Sequence, residues 1–175
     1  MTPLHRTIFS RILNSLFARH ETVVDQASNL KAGLGAVVGM MAVGQLAVLT
    51  GLPLMLAPLG ATVVLLFGQP SSPLAQPINV MAGYLVGTVT CEVAFAAFPG
   101  TWVAAAVAVG FIVVVMRALR VTHPPAGAVP ILGFGGAVHG GTLFATLLLG
   151  CITVICLAFV VHRIPPRRDY PIGMK

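Results

Sequence analysis

The run Ala32-Gly-Leu-Gly-Ala-Val-Val-Gly-Met-Met-Ala-Val-Gly-Gln-Leu-Ala-Val-Leu-Thr-Gly51 contains no Asp, Glu, Lys or Arg, and the charge-free stretch it opens continues to Cys91. Val93 to Met116 and Val121 to His162 are also free of charge. A helix needs about 20 mainly apolar residues to cross a hydrocarbon core, so these stretches are long enough for several crossings. Of the 175 residues, 8% are charged and 57% hydrophobic, against about 25% charged in a soluble domain. A soluble core of this size needs a polar shell that the chain cannot supply. The sequence therefore predicts one all-α domain, a polytopic bundle of transmembrane helices.

The net charge is +6. Its cations flank the apolar runs instead of forming one patch, which argues against a nucleic-acid partner. Arg6, Arg11, Arg19 and Lys31 precede the first run, and Arg163, Arg167, Arg168 and Lys175 follow the last. The positive-inside rule then places both termini in the cytoplasm, and the expected location is a bacterial inner (plasma) membrane. Cys91, Cys151 and Cys156 lie in apolar runs without a CxxC pair. They read as small apolar helix residues, with no metal or other cofactor expected.

Residues 1–30 lack the apolar core and cleavage site of a signal peptide. Ile8, Phe9, Ile12, Leu13, Leu16 and Phe17 share one helical face, with Arg6, Arg11, Asn14, Ser15 and Arg19 elsewhere. That pattern predicts a helix lying in the cytoplasmic interface; an organelle transit peptide is the alternative. The membrane domain covers residues 31–165, and 166–175 form a cytoplasmic tail.

Strong spans are expected over 32–51, 78–98, 101–119 and 141–162. Two segments broken by Pro and Gly lie between them, over 52–68 and 122–138. The first contains Pro58-Leu-Gly60-Ala61-Thr-Val-Val-Leu65-Leu-Phe67-Gly68, the second Pro125-Ala-Gly127-Ala128-Val-Pro-Ile-Leu132-Gly-Phe134-Gly135. Both fit P-x-G-A-x3-L-x-F-G. The shift that carries Pro58 onto Pro125 also carries the flanking spans of the first segment onto those of the second. We read a tandem duplication, repeat one over 32–98 and repeat two over 99–165. Six crossings make the repeats inverted and bring Arg117 and Arg120 to the cytoplasmic side with the other cations. Re-entrant broken segments leave four crossings and turn both arginines outward.

Proline cannot continue a preceding helix but fits a first turn. Short helices are thus expected to start at Pro58 and Pro125, near the middle of the membrane. A ten-residue helix covers only about 15 Å. Helix N-termini carry free amides and about half a positive charge, and Gly60 and Gly127 would open the backbone there to a ligand. Two such ends meeting at the midplane resemble the broken-helix sites of transporters and suit a small anion. The alternative is tight packing alone. The GxxxG pairs Gly35/Gly39, Gly83/Gly87 and Gly136/Gly140 read as packing sites and suggest a homo-oligomer.

The run Thr122-His123-Pro124-Pro125-Ala126-Gly127-Ala128 resembles the signature of the HPP family of integral membrane proteins. Ser72-Pro73-Leu74-Ala75-Gln76-Pro77 with Asn79 is similar to its second marker, and Gly60-Ala61 through Phe67-Gly68 also fits. Together they cover about residues 30–165. Relatives often carry Arg where Ile78 stands here. Members are usually described with four spans, and some are fused to a regulatory domain that these 175 residues do not contain. Plastid and cyanobacterial members are similar to nitrite transporters. The resemblance implies transport of a small monovalent inorganic anion, nitrite first.

On this reading the substrate-binding candidates are Pro58, Gly60, Ala61, Thr62, Thr122, His123, Pro124, Pro125, Ala126, Gly127 and Ala128. His123 could bind an anion or carry a proton; otherwise it caps the local backbone. Thr122 is expected as the helix cap. Vestibule or coupling candidates are Ser71, Ser72, Gln76, Asn79, Glu92, Arg117 and Arg120. Glu92 is the one acid between Asp25 and Asp169. His139 and His162 are expected to be solvated, and Trp102 to anchor the outer interface. No nucleophile triad, paired carboxylates or metal-spaced cluster points to an enzyme. The competing reading is a non-transporting sensor or scaffold.

Overall fold

The computed structural model describes residues 3–19, 23–136 and 138–173, with side chains from residue 8 onward. Lys175 and the side chain of Arg6 lie outside these. The described residues form seven α-helices and no strand. They are α1 (Pro3–Phe17), α2 (Gln26–Thr50), α3 (Ala57–Val63), α4 (Pro77–Ala97), α5 (Trp102–Ala118), α6 (Val129–Phe134) and α7 (Gly140–Arg163). A π turn, Val64–Gly68, extends α3, and a 3-10 segment, Pro124–Ala128, leads into α6.

Helices α2, α4 and α7 are long and apolar enough to cross a membrane. Helix α5 has 17 residues, at the short limit for a span. Helix α2 starts at Gln26, before the expected Ala32, because the Asp25 carboxylate accepts the Ser28 amide at 2.9 Å and caps it. Gly51, with φ 71, ends it in the left-handed conformation that favours glycine. The outward faces of the long helices are apolar: Leu34, Val48, Val107 and Val160 are more than half exposed. In α1, Phe9, Ile12, Leu16 and Phe17 are exposed too. In water such surfaces would be a liability; against lipid chains they are at home.

Short helices do begin at the expected prolines, but neither is α-helical throughout. Before α3 the chain is extended. The Leu54 amide bonds the Leu52 carbonyl and the Leu56 amide the Leu54 carbonyl, both at 2.8 Å. These two-residue turns satisfy backbone groups that lipid could not. In the second segment Pro124 and Pro125 remove two donors, and Pro130 cannot donate to the turn before it. The chain therefore winds as a tight 3-10 turn and becomes α-helical at Val129, with Pro130 in the first turn.

Both broken segments run the length of a long helix. A methyl added at Gly44 would touch Met55, and methyls at Gly39 and Gly35 would meet the Phe67 ring. The first segment thus runs antiparallel to α2. The second runs parallel to α4. Asn79 bonds the Thr122 carbonyl at 3.1 Å, Gly83 faces His123, Gly87 faces Ala126 and Gly133 faces Cys91. At the far end the Gly140 amide reaches the Glu92 carboxylate at 2.8 Å.

The halves interlock through equivalent positions. The shift from Pro58 to Pro125 also takes Gly83 to Gly150. A methyl at Gly83 would lie 2.6 Å from His123 Cβ, and one at Gly150 would run into the Leu59 side chain. Each half's last long helix therefore receives the other half's broken segment. The rings of Phe67 and His162 lie 6.0 Å apart, and the equivalent rings of Phe134 and Phe95 lie 6.1 Å apart. Two of the three GxxxG pairs, expected to serve self-association, are occupied within the chain. Gly35 and Gly39 take Phe67, and Gly83 and Gly87 take His123 and Ala126. The third pair runs from the turn after α6 to the first residue of α7, and Gly136 and Gly140 both have positive φ.

Candidate functional site

His123 is fully buried where the second broken segment begins. Its Nδ1 lies 2.9 Å from the Leu74 carbonyl. A carbonyl only accepts, so Nδ1 carries a proton. Nε2 lies 2.9 Å from Thr62 Oγ1, in the first broken segment. Thr62 Oγ1 is also 2.6 Å from the Tyr84 hydroxyl and 3.0 Å from the Pro58 carbonyl. The Tyr84 ring meets the imidazole edge-on at 5.2 Å. Three fully or almost fully buried polar side chains, from α3, α4 and the 3-10 entry, thus share one network.

That network accommodates either charge state of the ring. With a neutral imidazole, Tyr84 donates to Thr62, which donates to Nε2. With an imidazolium, Nε2 donates to Thr62, whose proton turns to the Pro58 carbonyl. The heavy atoms stay in place and every donor keeps an acceptor, as buried polar groups require.

The structure places Thr62 and His123 in contact and Pro58 beside them. Pro125 and Ala126 are buried, Ala126 against Gly83 and Gly87 of α4, Thr122 is half-buried, and Ala61 and Pro124 are exposed. Gly60, Gly127 and Ala128 are partly exposed, and a methyl at Gly60 or Gly127 would meet nothing within 4 Å. The helix-end amides are less available than the sequence suggests. Leu59 and Gly60 amides bond the Leu56 carbonyl at 3.0 and 3.3 Å, and the Ala126 amide bonds the His123 carbonyl at 3.0 Å. Pro58, Pro124 and Pro125 have no amide proton to offer.

Thr122 is not the cap of the second segment that the sequence suggests. His123 occupies the cap position instead, and no side chain makes a capping bond there. Nor does His123 cap its own backbone, since its partners are the distant Leu74 and Thr62. His162, expected to be solvated, is 1% exposed, because the π turn packs against α7 there, with the Phe67 ring 6.0 Å away, and Nε2 donates to the Leu66 carbonyl at 2.8 Å. His139 is half-buried and stacks on Phe95 at 4.0 Å.

The vestibule candidates divide. Ser71 and Ser72 line a cavity at the end where α2 starts and α7 stops. Gln76 ties down their loop, donating to Pro70 at 3.0 Å and Ser72 at 2.8 Å and accepting the Ile172 amide at 2.9 Å. Asn79 holds Thr122 beside the network. Glu92 stands at the opposite end of α4. Arg117 and Arg120 are exposed at and after the end of α5, and Arg120 has φ 60. Sequence reasoning missed Tyr84. Its signal was a phenol within a charge-free span, whose hydroxyl has no water and must find an internal partner.

A lipid-facing apolar surface, long charge-free helices and a polar network closed off inside the bundle define an integral membrane protein. The family model described as "HPP, transmembrane region" matches residues 21–171, and the chain belongs to that family. It is similar to two proteins of Dictyostelium discoideum that are named only as transmembrane proteins. One is 31% identical over 126 residues, 67% of this chain and 40% of the relative. The other is 32% identical over 120 residues, 64% of this chain and 42% of the relative. The chain thus spans well under two thirds of these relatives. No solved structure matches.

Proposed function

We propose that the protein transports a small monovalent anion, nitrite first, past the Thr62–Tyr84–His123 network. The observation that carries this reading is the 2.9 Å bond from Thr62 to His123, which joins the first broken segment to the start of the second inside a charge-free bundle. Nitrite offers only acceptors. Tyr84 and Thr62 hydroxyls and a protonated His123 are the donors that could turn to it, more so than the spent helix-end amides. The open space at Gly60 and Gly127 supplies the approach.

Six crossings in two inverted repeats are the topology that goes with this function. Its support is the path of each broken segment along a long helix, together with the paired contacts that Gly83 and Gly150 make at equivalent places. Both termini, Arg117 and Arg120 then lie in the cytoplasm, in accord with the positive-inside rule, and a bacterial inner membrane is the proposed location.

One observation favours the second reading, a non-transporting sensor or scaffold. The network is satisfied without a ligand, as a permanent polar staple would be. Nitrite entry into liposomes, followed with an internal reporter, separates the two. Saturable, protein-dependent entry that His123→Ala abolishes supports transport. No entry above protein-free liposomes, with monodisperse protein and pH gradients of both signs, discards it.

A further inference from the structure

We propose that a second site, at the end of the bundle where α2 starts and α7 stops, binds a phosphate group. A cavity of about 420 Å³ opens there, lined by Ser28, Lys31, Phe67, Ser72, His162 and Arg168 among others. The inference stands apart from the transport reading and would survive its failure.

His162 is the central observation. It is 1% exposed, Nε2 is committed to the Leu66 carbonyl, and Nδ1 is buried with no partner. A buried nitrogen without a partner is destabilising, so one on a residue that lines a cavity marks a place for a ligand atom. In the other half Phe95 stands at the equivalent position and makes a ring contact at a similar distance, with Phe134. Packing alone is thus met by a phenyl ring, and histidine adds only its nitrogens.

The surrounding charge selects an anion. The Lys31 ammonium bonds the Ile164 carbonyl at 3.1 Å and the Pro166 carbonyl, which leaves one of its three N–H groups. Arg168 bonds Ser28 at 3.1 Å and faces Asp25 at 3.9 Å. One carboxylate thus opposes two cations and leaves an excess of positive charge. Because Nε2 holds its proton, Nδ1 of the neutral ring is an acceptor, and of the charged ring a donor. A hydrogen phosphate or phosphate monoester offers both P–OH and P–O⁻ and answers either state; an anion without a proton answers one. The cavity is larger than a bare phosphate needs. It lies where the charge-free run of α2 begins, the level at which basic pockets between helices take lipid headgroups. Phosphatidic acid and free phosphate share the required chemistry.

The test uses the full chain in mild detergent, titrated with inorganic phosphate and separately with phosphatidic acid, and read by native mass spectrometry. Saturable binding of at least one is expected. Phosphatidic acid alone identifies a headgroup site, and inorganic phosphate that competes with it identifies a soluble ligand. His162→Phe, which installs the other half's residue, and Arg168→Gln, at an exposed side chain, are each expected to weaken binding tenfold or more. Such weakening in either variant sustains the site. No saturable binding to folded wild-type protein, or unchanged binding in both variants, overturns it.

Discussion

Thr62 and His123 lie 61 positions apart in sequence, yet their side chains meet at 2.9 Å, joining the first broken segment to the second. Neither residue has water within reach, since both are fully buried. The bond is therefore a constraint between the halves and the part of the network most sensitive to substitution.

Thr62→Val keeps the shape and removes the hydroxyl, stranding Nε2 of His123 and the phenol of Tyr84. We expect a loss of about 1–3 kcal/mol in stability. Thr62→Ser, which restores the oxygen, should recover most of it. Unfolding of the purified protein in mixed micelles measures both. An undiminished stability in Thr62→Val, with the loss falling on Thr62→Ser, would mean that the methyl, not the hydroxyl, matters.

Gly83→Ala and Gly150→Ala should differ although the positions are equivalent. The first methyl runs into His123 Cβ, fixed to the backbone; the second meets the flexible tip of Leu59. Gly83→Ala is expected to cost about 1–3 kcal/mol, and Gly150→Ala less. Leu59→Ala should relieve Gly150→Ala, because the other half carries Ala126 at the matching place. A double-mutant cycle on stability reads the coupling.

Gly127→Val meets no neighbour at its first carbon, so the variant should fold and stay monodisperse. On the transport reading, nitrite uptake falls at least tenfold because the side chain fills the approach. Normal uptake by the folded variant removes Gly127 from the path.

Arg120 holds a left-handed backbone after α5, with the Val121 amide closing on the Met116 carbonyl at 2.9 Å. Glycine adopts that conformation without a Cβ penalty, so Arg120→Gly should stabilise the fold by about 1 kcal/mol. Thermal unfolding in detergent tests this.

Six crossings predict that Arg120→Cys resists an impermeant maleimide added outside intact cells, whereas Trp102→Cys reacts. Trp102 is 80% exposed at the start of α5. Labelling of position 120 from outside would remove the inverted topology.

Much of the architecture is legible without coordinates. Charge-free length announces the long helices, and a pattern that recurs from Pro58 at Pro125 announces two related broken segments. The prolines mark where short helices start, because a missing N–H is a local property. Thr62 and His123 stand out separately, one by a repeat and one by a motif. Nothing in either stretch says that they touch. Tyr84 is hidden because a tyrosine in an apolar span looks the same whether it faces lipid or a buried hydroxyl. His162 is misjudged for a related reason. It stands at the end of a span, and the π turn carrying Leu66, together with the Tyr170 ring 5.4 Å away, removes it from solvent.

Composition and periodicity alone establish a membrane-embedded helical bundle, because lipid imposes length and apolarity on every crossing whatever its neighbours. Which half receives which is settled by tertiary structure. Gly83 and Gly150 each admit the other half's broken segment, and that exchange brings Thr62 to His123 and leaves Nδ1 of His162 buried without a partner beside a cavity that the residue lines. Hydropathy depends on one residue and its near neighbours. A hydrogen bond inside the bundle depends on where two distant backbones come to rest.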